Sequence, residues 1–118
     1  MSESKLQAKC IKEAKKQLKG VVIARSSTEG FPDRIFFWDG RVFCVEFKAL
    51  GKKPRPSQID KHRELYKAGI FTFVIDCFDD FEELIAMRLM RHPFDCFTHR
   101  FYNKCCYYDK LAGESVDI

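Results

Sequence analysis

Asp33, Glu46 and Lys48 are the residues of this chain whose types and spacing could do chemistry together. Asp39-Gly40 lies between two runs rich in Phe, Val and Ile, residues 34–38 and 41–49. Such a dipeptide between such runs is a strong hairpin signal. A two-residue turn there pairs positions whose numbers sum to 79, so Trp38 faces Arg41, Phe36 faces Phe43, and Asp33 faces Glu46. The two carboxylates then oppose one another with Cβ atoms roughly 5 Å apart. Lys48, two residues past Glu46, falls on the same sheet face. Like charges directly opposite are destabilising, and the other residues of that face, Ile35, Phe37, Val42 and Cys44, are apolar. The pair therefore calls for a cation. A hard divalent metal with oxygen ligands fits, with Lys48 as a further positive charge. The plainer reading is a carboxylate pair at a fraying hairpin end, neutralised by nearby lysines.

The elements that must position these groups follow from pattern. Residues 2–19 read as a helix with Ser2 and Ser4 as candidate N-caps, and Gln7 placed to close a capping box from Ser4. Its apolar stripe is Leu6, Cys10, Ala14 and Leu18, and Gly20 stops it. Residues 21–25 form a short first strand and 26–30 a polar loop. Both faces of the hairpin are apolar, so the sheet is expected to be covered on both sides. A basic loop (50–56) leads to Ser57, which can cap a second helix running to Ala68 with Ile59, His62, Leu65 and Tyr66 inward and Gly69 as terminator. His62 reads as a helix residue rather than a ligand. Residues 70–76 are a continuous apolar run, read as a buried strand. Asp79 then caps a third helix, with Glu82 closing a capping box, Phe81, Leu84, Ile85 and Leu89 inward, and Pro93 at its end. The order αβββαβα makes a mixed α/β domain over residues 1–91, a mixed sheet flanked by helices.

Composition bounds the partners. The chain has 118 residues, 46% of them hydrophobic, enough for one real core. Its net charge of +4 is unevenly spread: residues 1–20 carry a local +4, residues 48–67 a local +5, and the rest −5. Two basic segments on an otherwise acidic chain fit a polyanion, although two solvated helix faces give the same count. No apolar run approaches a membrane span. The polar, lysine-rich N-terminus reads as lacking an export signal, so a cytoplasmic protein is expected. In that setting the six cysteines (Cys10, Cys44, Cys77, Cys96, Cys105, Cys106) are expected as reduced thiols.

Taken in order, Gly30-Phe31-Pro32-Asp33-Arg34, then Val45-Glu46-Phe47-Lys48, then Gln58 opening the next helix, resemble the virus-type replication-repair nuclease (VRR-NUC) domain of the PD-(D/E)xK nuclease superfamily. The likeness runs from residue 3 to about residue 83. It departs before Gln58, where the usual Leu-Ser-Pro is replaced by Arg55-Pro56-Ser57. The resemblance implies a restriction-endonuclease-like fold and a metal-dependent endonuclease using Mg²⁺ or Mn²⁺. It implies that Asp33, Glu46 and the backbone carbonyl of Phe47 hold the metal. Glu3 would be the acid of the first helix, and it falls on that helix's inward stripe, where a lone glutamate otherwise makes little sense. An acid favoured by the helix dipole is the alternative there. Lys48 would orient the attacking water and stabilise charge on the phosphate, and Gln58 would position water or phosphate. A plain Lys48–Glu46 salt bridge and a solvated first-turn glutamine are the alternatives.

Lys52, Lys53 and Arg55 leave the strand just past Lys48 and are expected to touch DNA phosphates, with Ser26 and Ser27 adding hydroxyl contacts. The function expected from the resemblance is cleavage of branched DNA, such as junctions or flaps. A non-catalytic nucleic-acid-binding module of the same fold and an RNA-processing nuclease are the alternatives. A homodimer is expected, because one site nicks only one strand per binding event. The resemblance also admits a virus-encoded source. Residues 92–118 form an aromatic and Cys-rich tail, expected to pack on the domain or on a dimer partner. The spacing of His92, Cys96, His99, Cys105 and Cys106 matches no zinc motif, so zinc is not expected.

Overall fold

The computed structural model describes residues 1–86. The expectations for Leu89, Pro93 and the tail lie outside the described residues. Seven elements follow in the order α1 (Glu3–Gln17), β1 (Val22–Ala24), β2 (Arg34–Trp38), β3 (Arg41–Phe47), α2 (Pro56–Lys67), β4 (Phe71–Ile75) and α3 (Phe78–Ala86). This is the αβββαβα order, with a four-stranded mixed sheet ordered β1-β2-β3-β4. The first three strands are antiparallel and β4 runs parallel to β3.

The hairpin sets the register. Asp39 and Gly40 have φ of 51° and 75°, the two positive values a type I′ turn requires. Trp38 pairs with Arg41, Phe36 with Phe43, and Arg34 with Val45. Asp33 and Glu46 are the next step along, as the turn demands.

One face of the sheet carries Phe36, Phe43, Val45, Phe47, Phe71, Phe73 and Ile75. It packs on Leu6, Cys10, Ala14 and Leu18 of the first helix and on Phe81, Leu84 and Ile85 of the third. Phe36 stacks on Phe43 with centroids 4.9 Å apart, and each such ring stabilises the fold by about 1.5–3 kcal/mol through burial. The opposite face carries Glu46 and Lys48. Helix α2 covers it beside β4, whereas the cross-strand row Val22, Phe37 and Val42 stays 61%, 41% and 38% exposed. Among the described residues the expected cover on both sides is therefore only partial. Helix α2 packs mainly against β4 and does not reach the hairpin tip.

The element ends follow the expected caps in part, and the departures have identifiable reasons. Helix α1 is capped by Ser2, whose hydroxyl accepts from Lys5 N–H at 3.2 Å. Gln7 makes no capping box and instead accepts a hydrogen bond from Arg34 Nε. Helix α2 starts at Pro56, whose fixed φ suits the first helical position, so the N-cap is Arg55 rather than Ser57. Helix α3 starts at Phe78, which puts Asp79 inside the first turn rather than at the cap. There an acid still suits the positive end of the helix dipole.

Candidate active site

Glu46 and Lys48 leave the end of β3 on the face that α2 covers, and both are buried. Asp33 reaches the same place from the loop before β2, held by Phe47 N–H, which donates to its Oδ2 at 2.7 Å. Gly30 docks that loop on α2. It has φ of 82°, and a Cβ there would meet the Ser57 carbonyl oxygen at 3.0 Å. Lys61 of α2 lies over the Phe31 ring, 5.4 Å from its centroid.

Gln58 ties the two elements together. Its Oε1 accepts from Lys48 Nζ at 2.8 Å and from Arg55 N–H at 2.8 Å, and its Nε2 donates to Glu46 Oε2 at 3.0 Å. One amide thus completes the start of α2 and holds both Glu46 and Lys48. Lys48 Nζ stands 3.8 Å from Glu46 Oε2. Gln58 is buried, so it is no solvated first-turn residue.

Burial raises the pKa of both carboxyls. Asp33 is pushed up to about 6 by burial and then by the charge of Glu46, against the pull of the Phe47 N–H. Glu46 is raised by burial against the lowering effect of Lys48. An acidic pair held in this way is a candidate cation site.

These groups line an open cleft of about 460 Å³ that also takes in Glu3, Lys52, Lys53 and Arg55. Glu3 is not inward, as its stripe position implied. It is solvent-exposed at the start of α1, on the cleft's rim. Ser26 and Ser27 are not among the lining residues, and the Ser26 hydroxyl accepts from Thr28 N–H at 3.0 Å. Arg34 Nε donates its hydrogen bond to the neutral amide oxygen of Gln7.

Phosphodiester cleavage is chemistry that an acid pair, a lysine and a basic rim can perform. No protein-family model matches the chain. A solved VRR-NUC domain superposes with a TM-score of 0.64 and 27% identity, covering 71% of this chain and 94% of that one. This chain has the VRR-NUC domain fold. The chain is also similar to "Putative nuclease p44" of Acyrthosiphon pisum secondary endosymbiont phage 1, with 39% identity over 51 residues. That match spans 42% of this chain and 55% of the phage protein.

Within the VRR-NUC fold, His62 is the residue that pattern reading placed correctly but undervalued. It faces inward on α2 as expected, yet its Nε2 lies 3.5 Å from Glu46 Oε1 with both side chains buried. Its spacing from Gln58, one helical turn along the same face, was the available signal. Burial lowers its pKa to about 4, so the imidazole is neutral near pH 7. Cys10, Cys44 and Cys77 are reduced, and burial pushes the first two up to about 12, which makes those two unreactive packing groups.

A second group, Asp76, Cys77 and Asp80, brings ligand atoms within 4.8 Å of one another. Asp76 accepts from Gly51 N–H at 3.0 Å, and the group sits where α3 begins, so it serves the loop and the helix end. Among the described residues no helix is long and apolar enough to cross a membrane.

Proposed function

We propose that this protein is a Mg²⁺- or Mn²⁺-dependent endonuclease acting on DNA, with a preference for branched structures. The observation that carries this reading is the convergence of Asp33, Glu46, Lys48 and Gln58 in one cleft rimmed by Lys52, Lys53 and Arg55. A divalent metal fits the donor set. The nearest donors are carboxylate oxygens, which suit a hard cation, and the buried Glu46 Oε1 accepts no hydrogen bond. Asp33 and Glu46 would hold it, with Glu3 as an outer acid. The Phe47 carbonyl as a further ligand is supported by the Phe47 N–H bond to Asp33, because N–H and C=O of one strand residue face the same edge. The metal would supply charge neutralisation at the phosphate and a lowered pKa for water.

The chain's own residues do the rest. Lys48, held by Gln58, presents a fixed cation where negative charge grows on the phosphate. Gln58 keeps the Lys48 ammonium and the Glu46 carboxylate from collapsing onto one another. Lys52, Lys53 and Arg55 hold the flanking backbone, and Ser26 and Ser27 could be recruited by a longer strand.

Branched DNA cut on two strands needs two sites, so we include a symmetric homodimer in the reading. The uncovered row Val22, Phe37 and Val42 supports it, as an apolar surface open to association. A phage relative supports a viral source, with action in the host cytoplasm.

Incubation with labelled duplex, flap, four-way junction and single-stranded DNA, and with RNA, each with and without Mn²⁺, tests the reading. Metal-dependent cuts in branched DNA are expected. Binding without cleavage, or cleavage of RNA alone, would overturn it. Light scattering checks the dimer, which a mass near 13.9 kDa with and without DNA would reject. Fractionation of expressing cells checks the cytoplasmic placement, which recovery in the membrane or exported fraction would reject.

A further inference from the structure

We propose that His62 is a positioning residue for the Glu46 carboxylate, and that its Nε2–H sets how tightly the acid pair holds a divalent cation. The inference rests on the nuclease reading of that pair.

The two oxygens of Glu46 are held differently. Its Oε2 accepts from Gln58 and faces Lys48 at 3.8 Å. Its Oε1 accepts no hydrogen bond, although it is buried and lies 3.5 Å from His62 Nε2. Gln58 and His62 stand four residues apart on the buried face of α2, so they are neighbours one turn apart. The helix therefore addresses the two oxygens of one carboxylate with two side chains. The separation of 3.5 Å is too long for a good hydrogen bond and too short for an inserted water. A small rotation of the carboxylate about its last torsion, which is soft, closes it.

His62 is 0% exposed and Glu46 1%. Bulk water therefore does not reach this contact, and among the described residues no other group donates to Glu46 Oε1. A donor behind a carboxylate ligand fixes its orientation, and removing such a partner costs about 10- to 100-fold in metal affinity. The charges of Lys48 and Asp33 also act on the imidazole, and both belong to the same site. The imidazole thus lies behind the site and contacts no substrate.

Two isosteres separate the N–H from mere bulk. The His62→Gln side chain can bring an amide N–H to the place of Nε2, whereas His62→Asn reaches only to the place of Nδ1. Calorimetric Mn²⁺ titration of the metal-free full chain, with a thermal melt of each variant, reads the effect without any cleavage assay. Asn is expected to weaken Mn²⁺ binding by about 10- to 100-fold, and Gln to stay within about three-fold of the parent, with both melting cooperatively. Equal Mn²⁺ affinity in the parent and the Asn variant would overturn the proposal, and so would equal losses in Asn and Gln. Asp33→Asn is the control. If the parent binds no Mn²⁺, or binds it no better than Asp33→Asn, the nuclease reading itself falls and this inference with it.

Discussion

Lys48 and Gln58 meet at 2.8 Å, ammonium to amide oxygen, across the gap between β3 and α2. The same amide oxygen takes the Arg55 N–H, so the lysine is anchored to the helix start as well as paired with Glu46 at 3.8 Å. Its charge is thereby held in place before any substrate arrives, which is what preorganisation means.

Replacing Lys48 with Ala should cut turnover by about two or more orders of magnitude while leaving DNA affinity nearly intact. Gln58 keeps its bonds to Arg55 and Glu46, so the fold should survive. Single-turnover rates beside equilibrium binding check this, and a variant cleaving at the parental rate removes Lys48 from the site.

Asp33 makes the metal-free protein pH-sensitive. Its folded pKa of about 6 exceeds the ordinary 3.8, so between those values the folded state binds more protons than the unfolded one. Stability from this group is present below about pH 4 and falls as pH rises through 6. His62, lowered from 6.5 to about 4, acts oppositely: its contribution is present above 6.5 and is lost as pH falls. The difference between parent and Asp33→Asn isolates the carboxyl. Without metal the variant should gain melting temperature relative to the parent as pH rises from 4 to 7. Mn²⁺ should raise the melting temperature of the parent alone. Parallel pH profiles with equal metal responses would contradict this assignment.

Gly30 is expected to resist substitution. Ala there must adopt φ of 82° with its Cβ 3.0 Å from the Ser57 carbonyl, and the left-handed backbone alone costs about 1–2 kcal/mol. Because this loop carries Asp33 to the cleft, Gly30→Ala should lose activity beyond its loss of stability. Denaturant titration and cleavage rates measured at a temperature where both proteins are folded would show it. A variant with parental stability and rate would mean the loop docks otherwise.

Neutralising Lys52, Lys53 and Arg55 together should weaken DNA binding evenly across sequences. It should also flatten the dependence of log affinity on log salt by about three units or slightly less. All three line the cleft. An unchanged slope would mean they never touch the backbone.

Much of the site was legible because one turn fixed it. Asp39-Gly40 determines the register of β2 against β3, and strand parity then puts Asp33, Glu46 and Lys48 on one face. What was not legible depended on how α2 is seated. Ser57 is the better capping residue by type, but Pro56 took the first helical position and the Gln58 side chain took the Arg55 N–H. His62 was recognisable as inward-facing, whereas its approach to Glu46 is set by the rotation of α2 over the sheet, which no local pattern encodes. The exposure of Phe37 and Val42 has the same origin, because alternation marks a face as apolar without saying how far a helix extends over it. Glu3 lay on the right stripe but one turn too early, where the helix has run past the edge of the core.

The central claim is that Asp33 and Glu46 form a metal-dependent phosphodiesterase centre. Its most direct measurement is cleavage of a labelled four-way junction by the parent and by Asp33→Asn, with Mn²⁺ added or chelated. The parent with Mn²⁺ should cut, and the other three combinations should leave the junction intact. Cleavage by Asp33→Asn at the parental rate, or by the parent in chelator, would contradict the account.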